Sequence, residues 1–285
     1  MPPACTIIMT NREGAGQEEL LPRVRKTVED HGRLVGILEG GDAIPSETER
    51  IVVIGGDGTI LSTIRANLDR EVPVLGVNAG RLGVLAEFDA DSLERNAAEV
   101  FGPAPLIRRY LALRVSVIDH EGRERFSAVA INDCVVTAGA PFRMIELSLR
   151  IDDTVGPSIN GDGLIVASPI GSTAYNVSAG GPIVQPTVDA MVISAVAPHS
   201  LAFRPIVADG GTTLEVGLRR SNEGTTLVLD GQVTHGLEKG DRLVFRKHDA
   251  QARLVGNPDS PYWNNLIEKM RWGAPPPTAT KGPDP

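Results

Sequence analysis

The chain has 285 residues, a mass of 30.2 kDa and a formal net charge of −8. That length allows one large domain or two ordinary ones with cores of their own. The acidic balance argues against a protein that coats nucleic acid or an anionic membrane, and no apolar run approaches the 18 residues of a membrane span. Glycine and proline make about 18% of the chain, against an average of about 12%, while 41% of residues are hydrophobic. Such a chain folds, with many tight turns or with backbone pressed against a ligand.

The first third alternates strand and helix. Ala4 to Met9 reads as a buried strand, followed by Leu20, Leu21, Val24 and Val28 at helical spacing. Arg33 to Leu38 and Ile51 to Ile54 are further strands, the latter short and β-branched like a central parallel strand. Pro73 to Val77 is a fourth, with helices expected over Ile60–Leu68 and Ser92–Val100. This order predicts a Rossmann-like parallel α/β domain over residues 1–104.

Near Phe101-Gly102-Pro103-Ala104-Pro105 the pattern changes to period two. Leu111, Leu113, Val115 and Val117 alternate with smaller or polar residues, as do Ile145 to Ile151 and Leu214 to Leu218. A mostly antiparallel β-sandwich domain is therefore expected over 105–257. A last helix over Ser260–Arg271, within a segment 258–272 that joins the first domain, and a Pro-rich disordered tail at 273–285 complete the organisation. Cys5 and Cys134 lie in apolar runs and read as buried reduced thiols, and the five scattered histidines suggest no metal site. With no leader-like segment evident, the expected address is the cytoplasm.

Three clusters carry chemistry. Gly55-Gly56-Asp57-Gly58-Thr59 follows the β-branched strand and opens a helix, which is the setting of a phosphate loop. Its glycines permit positive φ and close approach to a ligand. Asp57 is out of place beside phosphate unless it orients or deprotonates an attacking hydroxyl; otherwise it is the helix N-cap. There is no Gly-Lys pair and no G-x-G-x-x-G, so neither a Walker A loop nor an ordinary dinucleotide fingerprint is present. The second cluster runs from Asn160-Gly161-Asp162-Gly163 through Gly171-Ser172-Thr173-Ala174-Tyr175 to Ser178-Ala179-Gly180-Gly181. It offers hydroxyls, bare backbone and one aromatic to a sugar or base, or else it is a glycine-rich turn with a capping hydroxyl. The third is Asn132-Asp133 in an otherwise apolar strand, facing a ligand or bonding local backbone.

Together, in this order, the clusters resemble the NAD kinase family. The likeness extends to Asn78–Glu87 and covers about Ile51 to Trp272. The resemblance implies transfer of the ATP γ-phosphoryl group to the 2′-hydroxyl of the adenosine ribose of NAD, giving NADP. It implies Asp57 as catalytic base or hydroxyl orienter. It also implies NAD contacts from Asp57, Gly58, Asn132, Asp133, Arg143, Asn160, Asp162, Thr173, Ala174, Tyr175, Ser178 and Gln232. Gly56, Thr59 and Arg81 are the candidates for ATP phosphate. Mg²⁺ would arrive with ATP rather than in a dedicated protein cluster, and a homo-oligomer, dimer or tetramer, is implied. The chain departs from the family pattern at Asn160, where many bacterial members carry a basic residue, and at Val84, where an aromatic is usual. A lipid or sugar kinase of the same superfamily lacks the Asn132-Asp133 pair and the tyrosine run. A non-catalytic dinucleotide sensor has no use for Asp57 beside phosphate.

Overall fold

A computed structural model describes residues 5–10, 17–78 and 83–270. Its first sheet has six strands in the order Arg33–Glu39, Cys5–Thr10, Arg50–Ile54, Val74–Val77, Ala252–Val255, Ile107–Tyr110. The first five run parallel and the last is antiparallel to its neighbour. Arg50–Ile54 is buried at every residue, as a β-branched strand covered on both faces must be. Helices Gln17–His31 and Ala90–Val100 cover one face, burying Val24, Val28, Leu93, Ala97 and Val100 against Ile8, Val52 and Ile54. Helix Asp57–Ala66 covers the other, placing Ile60, Leu61 and Ile64 against Ile7, Ile51 and Val53. The helix at 90–100 begins in a capping box between Asp89 and Ser92, which satisfies two amides and sets its start two residues before the expected Ser92. The expected helix at 60–68 instead occupies 57–66, with a separate 3₁₀ turn at Leu68–Arg70.

Two further six-stranded sheets form the sandwich. Period-two residues face inward from both. Leu113, Val115, Val117, Leu147, Leu149, Val216 and Phe245 of one sheet meet Cys134, Val136, Leu164, Val166, Met191 and Leu227 of the other. Cys134 is a fully buried free thiol, pushed to a raised pKa by burial; nothing is described of the Cys5 side chain.

The expected partition at 105 and 257 needs correction at the level of sheets. Strands 107–110 and 252–255 pair with the N-terminal sheet, although they lie in sequence beyond the Pro/Gly boundary. Their contribution comes from pairing with a distant edge, which a local pattern does not encode. The last helix, Tyr262–Met270, follows a segment held to the first domain by Asn96 to Asp259 and Asn257 to Glu87 hydrogen bonds. Residues 271–285, including the expected tail, lie outside the described residues. None of the helices described is long and apolar enough to cross a membrane.

The two domains share a core. Ile131 and Ile170 of the β domain are buried with the apolar face of helix Asp57–Ala66. Ile131 and Asn132 are the link by which the chain leaves one sandwich sheet, at strand Glu124–Ala130, and enters the other, at strand Asp133–Thr137. The junction of the domains is thus also a crossover within the sandwich.

A candidate dinucleotide site at the domain junction

Gly55 begins at the carboxyl end of Arg50–Ile54, next to the point where the strand order reverses, the usual crevice for ligands on a parallel sheet. The helix N-cap is Gly56, extended at φ −90°, and no side chain caps it. Asp57 is the first helical residue, so the N-cap reading of Asp57 does not hold. Its carboxylate reaches across to the segment after the fourth strand. Val84 N–H donates to Oδ2 at 3.0 Å, and Leu85 and Ala86 N–H donate to Oδ1 at 3.1 and 3.3 Å. Gly83 lies so close to this carboxylate that a Cβ there would sit 2.1 Å from Oδ1. Asp57 is half-buried, held in one orientation by backbone.

The motif glycines do not serve the purpose expected of positive φ; none of Gly55, Gly56 and Gly58 occupies the left-handed region. Gly58 allows a close approach, since a Cβ there would meet the Gln232 Nε2 at 3.2 Å and press on that side chain. Gln232 donates that amide to the Gly58 carbonyl at 2.7 Å. Gly56 is exposed and Thr59 half-buried on the same helix start. Arg81 lies outside the described residues.

Asn132 and Asp133 stand on the sandwich side. Their backbone is gripped from both directions. The Asp230 carboxylate accepts from the amides of Ile131, Asn132 and Asp133 at 2.8 to 3.2 Å. Ser168 Oγ donates to the Ile131 carbonyl at 2.6 Å, and Ser168 N–H to the Asn132 carbonyl at 2.8 Å. With its main chain satisfied, the half-buried Asn132 side chain makes no hydrogen bond to any described residue and faces a cleft. Asp133 is buried and lines the same cleft, with the Tyr175 amide near its carboxyl. The backbone of the pair is thus bonded locally while both residues border the cleft.

The cleft has a volume of about 410 Å³ and is lined by Asn132, Asp133, Val135, Thr137, Ala174 and Tyr175 together with the Val228–Gly231 edge. It is a mostly apolar trough with carboxylates at one end, and Tyr175 is 48% exposed at its mouth. Desolvation, reinforced by the negative charge of Asp230, pushes the Asp133 carboxyl up to about 7.

Much of the serine- and glycine-rich run turns out to be scaffold. Ser172 is buried and bonds the Pro169 carbonyl and Val184. Asn176, also buried, donates to the carbonyls of Ser172 and Pro182 and accepts from Ser194 Oγ. The Thr173 hydroxyl bonds the Ile170 carbonyl at 3.3 Å, and Ser178 is exposed on the short helix Tyr175–Ser178. These internal bonds shape the turn that presents Ala174 and Tyr175.

Other expected residues lie apart from this cleft. Arg143 is exposed, with Asn222 donating to its carbonyl, and Asn160 stands near Arg220 at 3.5 Å. Asp162 is exposed at the turn before Gly163, whose backbone pairs with Thr137 at the far end of the cleft.

The sequence does not point to Arg65, and it marks Asp230 only as part of the motif Asp230-Gly231-Gln232, with no role of its own. Their only local signals are a basic residue in the last turn of a phosphate-loop helix and an Asp-Gly pair between two short apolar runs, a hairpin signature. In the fold Arg65 Nη1 bonds Asp230 Oδ2 at 2.8 Å and Nη2 bonds Gln232 Oε1 at 2.7 Å. Among the described residues no group of three His, Cys, Asp or Glu side chains could hold a metal ion.

The family model for the ATP-NAD kinase N-terminal domain matches residues 8–103, and the model for the ATP-NAD kinase C-terminal domain matches 131–256. The chain belongs to the NAD kinase family. An NAD kinase of Geotalea daltonii is 37% identical over 232 residues, covering 81% of each chain. One from Rhodopirellula baltica is 34% identical over 88% of this chain and 81% of its own. Among solved structures, the NAD kinase of Archaeoglobus fulgidus in complex with ATP is similar at a TM-score of 0.73 and 27% identity, over 93% of this chain and 98% of that one. Yeast NADH kinase complexed with NADH shares the fold at a TM-score of 0.83 and 20% identity, over 97% of this chain and 90% of that one. The α/β domain followed by a β-sandwich is the fold of this family, as the pattern of strands and helices in the sequence predicts.

Proposed function

We propose that this chain transfers the γ-phosphoryl group of ATP to the 2′-hydroxyl of the adenosine ribose of NAD, forming NADP and ADP. The observation that carries this reading is the pairing of an amide-held Asp57 with an adjoining cleft at Asn132, Asp133 and Tyr175, tied together through Gly58 and Gln232. The cleft suits an adenosine: an apolar trough for the base, Tyr175 to stack or donate, and the Asn132 carboxamide to donate and accept at once.

In the reaction the 2′-oxygen bonds to the γ-phosphorus while the bond from that phosphorus to the β,γ-bridging oxygen breaks. ADP departs with the electron pair. The hydroxyl proton passes to the Asp57 carboxylate, which is adequate as a weak base because the transition state is loose and the proton leaves late. Three amides fix where that carboxylate points and so orient the hydroxyl it accepts from. The exposed backbone at Gly56 and the helix start give the triphosphate an electropositive terminus, with Thr59 and Arg81 as further contacts. Mg²⁺, when bound, neutralises phosphate charge. The lone Asp57 carboxylate at this helix start suits an ion that keeps most of its ligands from phosphates and water.

Arg143, Asn160 and Asp162 would act on the ligand from the edge of the sandwich. That placement fits a homo-oligomer in which a second copy completes the site, and light scattering on the purified chain reads the assembly directly. The activity is tested with NAD, ATP and Mg²⁺, detecting NADP by an NADP-specific dehydrogenase. Product formation by the wild type and a loss of about 10²- to 10⁴-fold in Asp57→Asn are expected. Full-rate NADP formation by Asp57→Asn refutes the role of Asp57, and folded wild type that makes none refutes the activity.

A further inference from the structure

We infer that Arg65 is a positioning residue that locks the Asp57 helix in register with the cleft, so that carboxylate and acceptor hydroxyl meet. This rests on the phosphoryl-transfer reading above. Asp57 opens the helix Asp57–Ala66 and Arg65 lies in its last turn. The Arg65 guanidinium forks: one nitrogen bonds Asp230 and the other bonds Gln232. Gln232 returns its own amide to the carbonyl of Gly58, one residue beyond Asp57. Both ends of one helix are thereby fastened to one hairpin, 165 and 167 residues away from Arg65 and 174 away from Gly58 in sequence.

The hairpin is itself rigid. Asp230 and Gly231 sit at φ 50° and 67° in the three-residue connection Asp230–Gln232, which is closed by the Gln232 N–H donating to the Leu229 carbonyl at 2.9 Å. Asp230 at the same time holds the amides of Ile131, Asn132 and Asp133. A rotation of the helix would therefore be felt at both sides of the site, at Asp57 and at the Asn132-Asp133 backbone. The arm to Asp230 is shielded, with side-chain exposures of 18% for Arg65 and 0% for Asp230, whereas the arm to Gln232 lies at the surface. Only a planar, two-armed cation spans both partners. Lysine is a point charge that can retain the Asp230 contact and release Gln232.

The test compares wild type, Arg65→Lys, Arg65→Ala, Gln232→Ala and the Arg65→Ala/Gln232→Ala double variant of the full chain. NADP formation, the KM for each substrate, calorimetric NAD binding without ATP and thermal melting are recorded. Arg65→Lys guards against a failure of Arg65→Ala to fold, since it keeps a charge opposite Asp230. A folded Arg65→Lys is expected to lose kcat on the order of 10- to 100-fold while NAD binding stays within about threefold, the signature of misaligned reacting groups. The loss from Arg65→Ala should shrink in the Gln232→Ala background, because both remove the same tie. A kcat loss under about fivefold in folded Arg65→Lys, a rise in the NAD KM with kcat unchanged, or losses that multiply in the double variant would overturn the assignment. Folded wild type that forms no NADP overturns this inference together with the activity it rests on, and that result is separable because it involves no substitution.

Discussion

Asp133 and Asp230 clasp each other at the floor of the cleft: the Asp230 carboxylate accepts the Asp133 amide at 3.2 Å while the Asp230 amide donates to the Asp133 carbonyl at 2.9 Å. Two acidic residues are thus held side by side by backbone, and among the described residues only Asp230 is paired with a cation. Arg65 pairs with Asp230, while Asp133 is raised to about 7 by burial and by its neighbour's charge.

The first prediction is a pH dependence. In the unfolded chain the Asp133 carboxyl titrates near 3.8, and in the fold near 7. The native state therefore holds the proton more tightly between those values. Its contribution is complete below about pH 4 and is withdrawn as pH rises through 7. Asp133→Asn should remove that loss, so the stability difference between variant and wild type should move in favour of the variant by roughly 2–4 kcal/mol from pH 4 to pH 8. Urea denaturation at both pH values measures it. A difference that stays constant with pH contradicts the assignment.

Asp230→Ala should be among the most damaging single changes in the protein. It strands three backbone amides, those of Ile131, Asn132 and Asp133, and leaves the Arg65 charge without its carboxylate partner. A loss of about 3–5 kcal/mol is expected in equilibrium unfolding, and Asp230→Asn, which keeps an acceptor oxygen, should lose less.

Gly171→Ala probes close approach. A Cβ at Gly171 would lie 2.0 Å from the Asn132 carbonyl oxygen, backbone that cannot swing aside. A destabilisation of about 1–3 kcal/mol is expected, with weaker NAD binding as Asn132 is displaced. Gly56→Ala, which meets nothing within 4 Å, is the control and should melt within a few degrees of wild type.

Tyr175→Ala should separate binding from folding. The ring is half-exposed at the cleft mouth, so its removal should leave the melting temperature nearly unchanged. A rise of about 3- to 10-fold in the NAD KM is expected from the lost aromatic contact, read by steady-state kinetics.

Local sequence determined the alternation of strand and helix around Ile51–Ile54 and the period-two strands of the sandwich, because burial on a fixed face imposes a period on the chain, while the helix start at Asp57 came from the structure. It also marked Asp57, the Asn132-Asp133 pair and the run holding Tyr175 as three separate clusters, joined only by the resemblance to the NAD kinase family. Pairing at a distance was settled only in three dimensions. Strand 252–255 completes a sheet begun at residue 5, Asp230 clamps residues 131–133, and Arg65 reaches across the junction. Such contacts join segments more than 90 residues apart, and no local periodicity carries them. The tertiary structure likewise sorted the serine-rich run, leaving Tyr175 facing the cleft while Ser172 and Asn176 bond inward, since a buried polar side chain is held by whichever partner the packed chain brings to it.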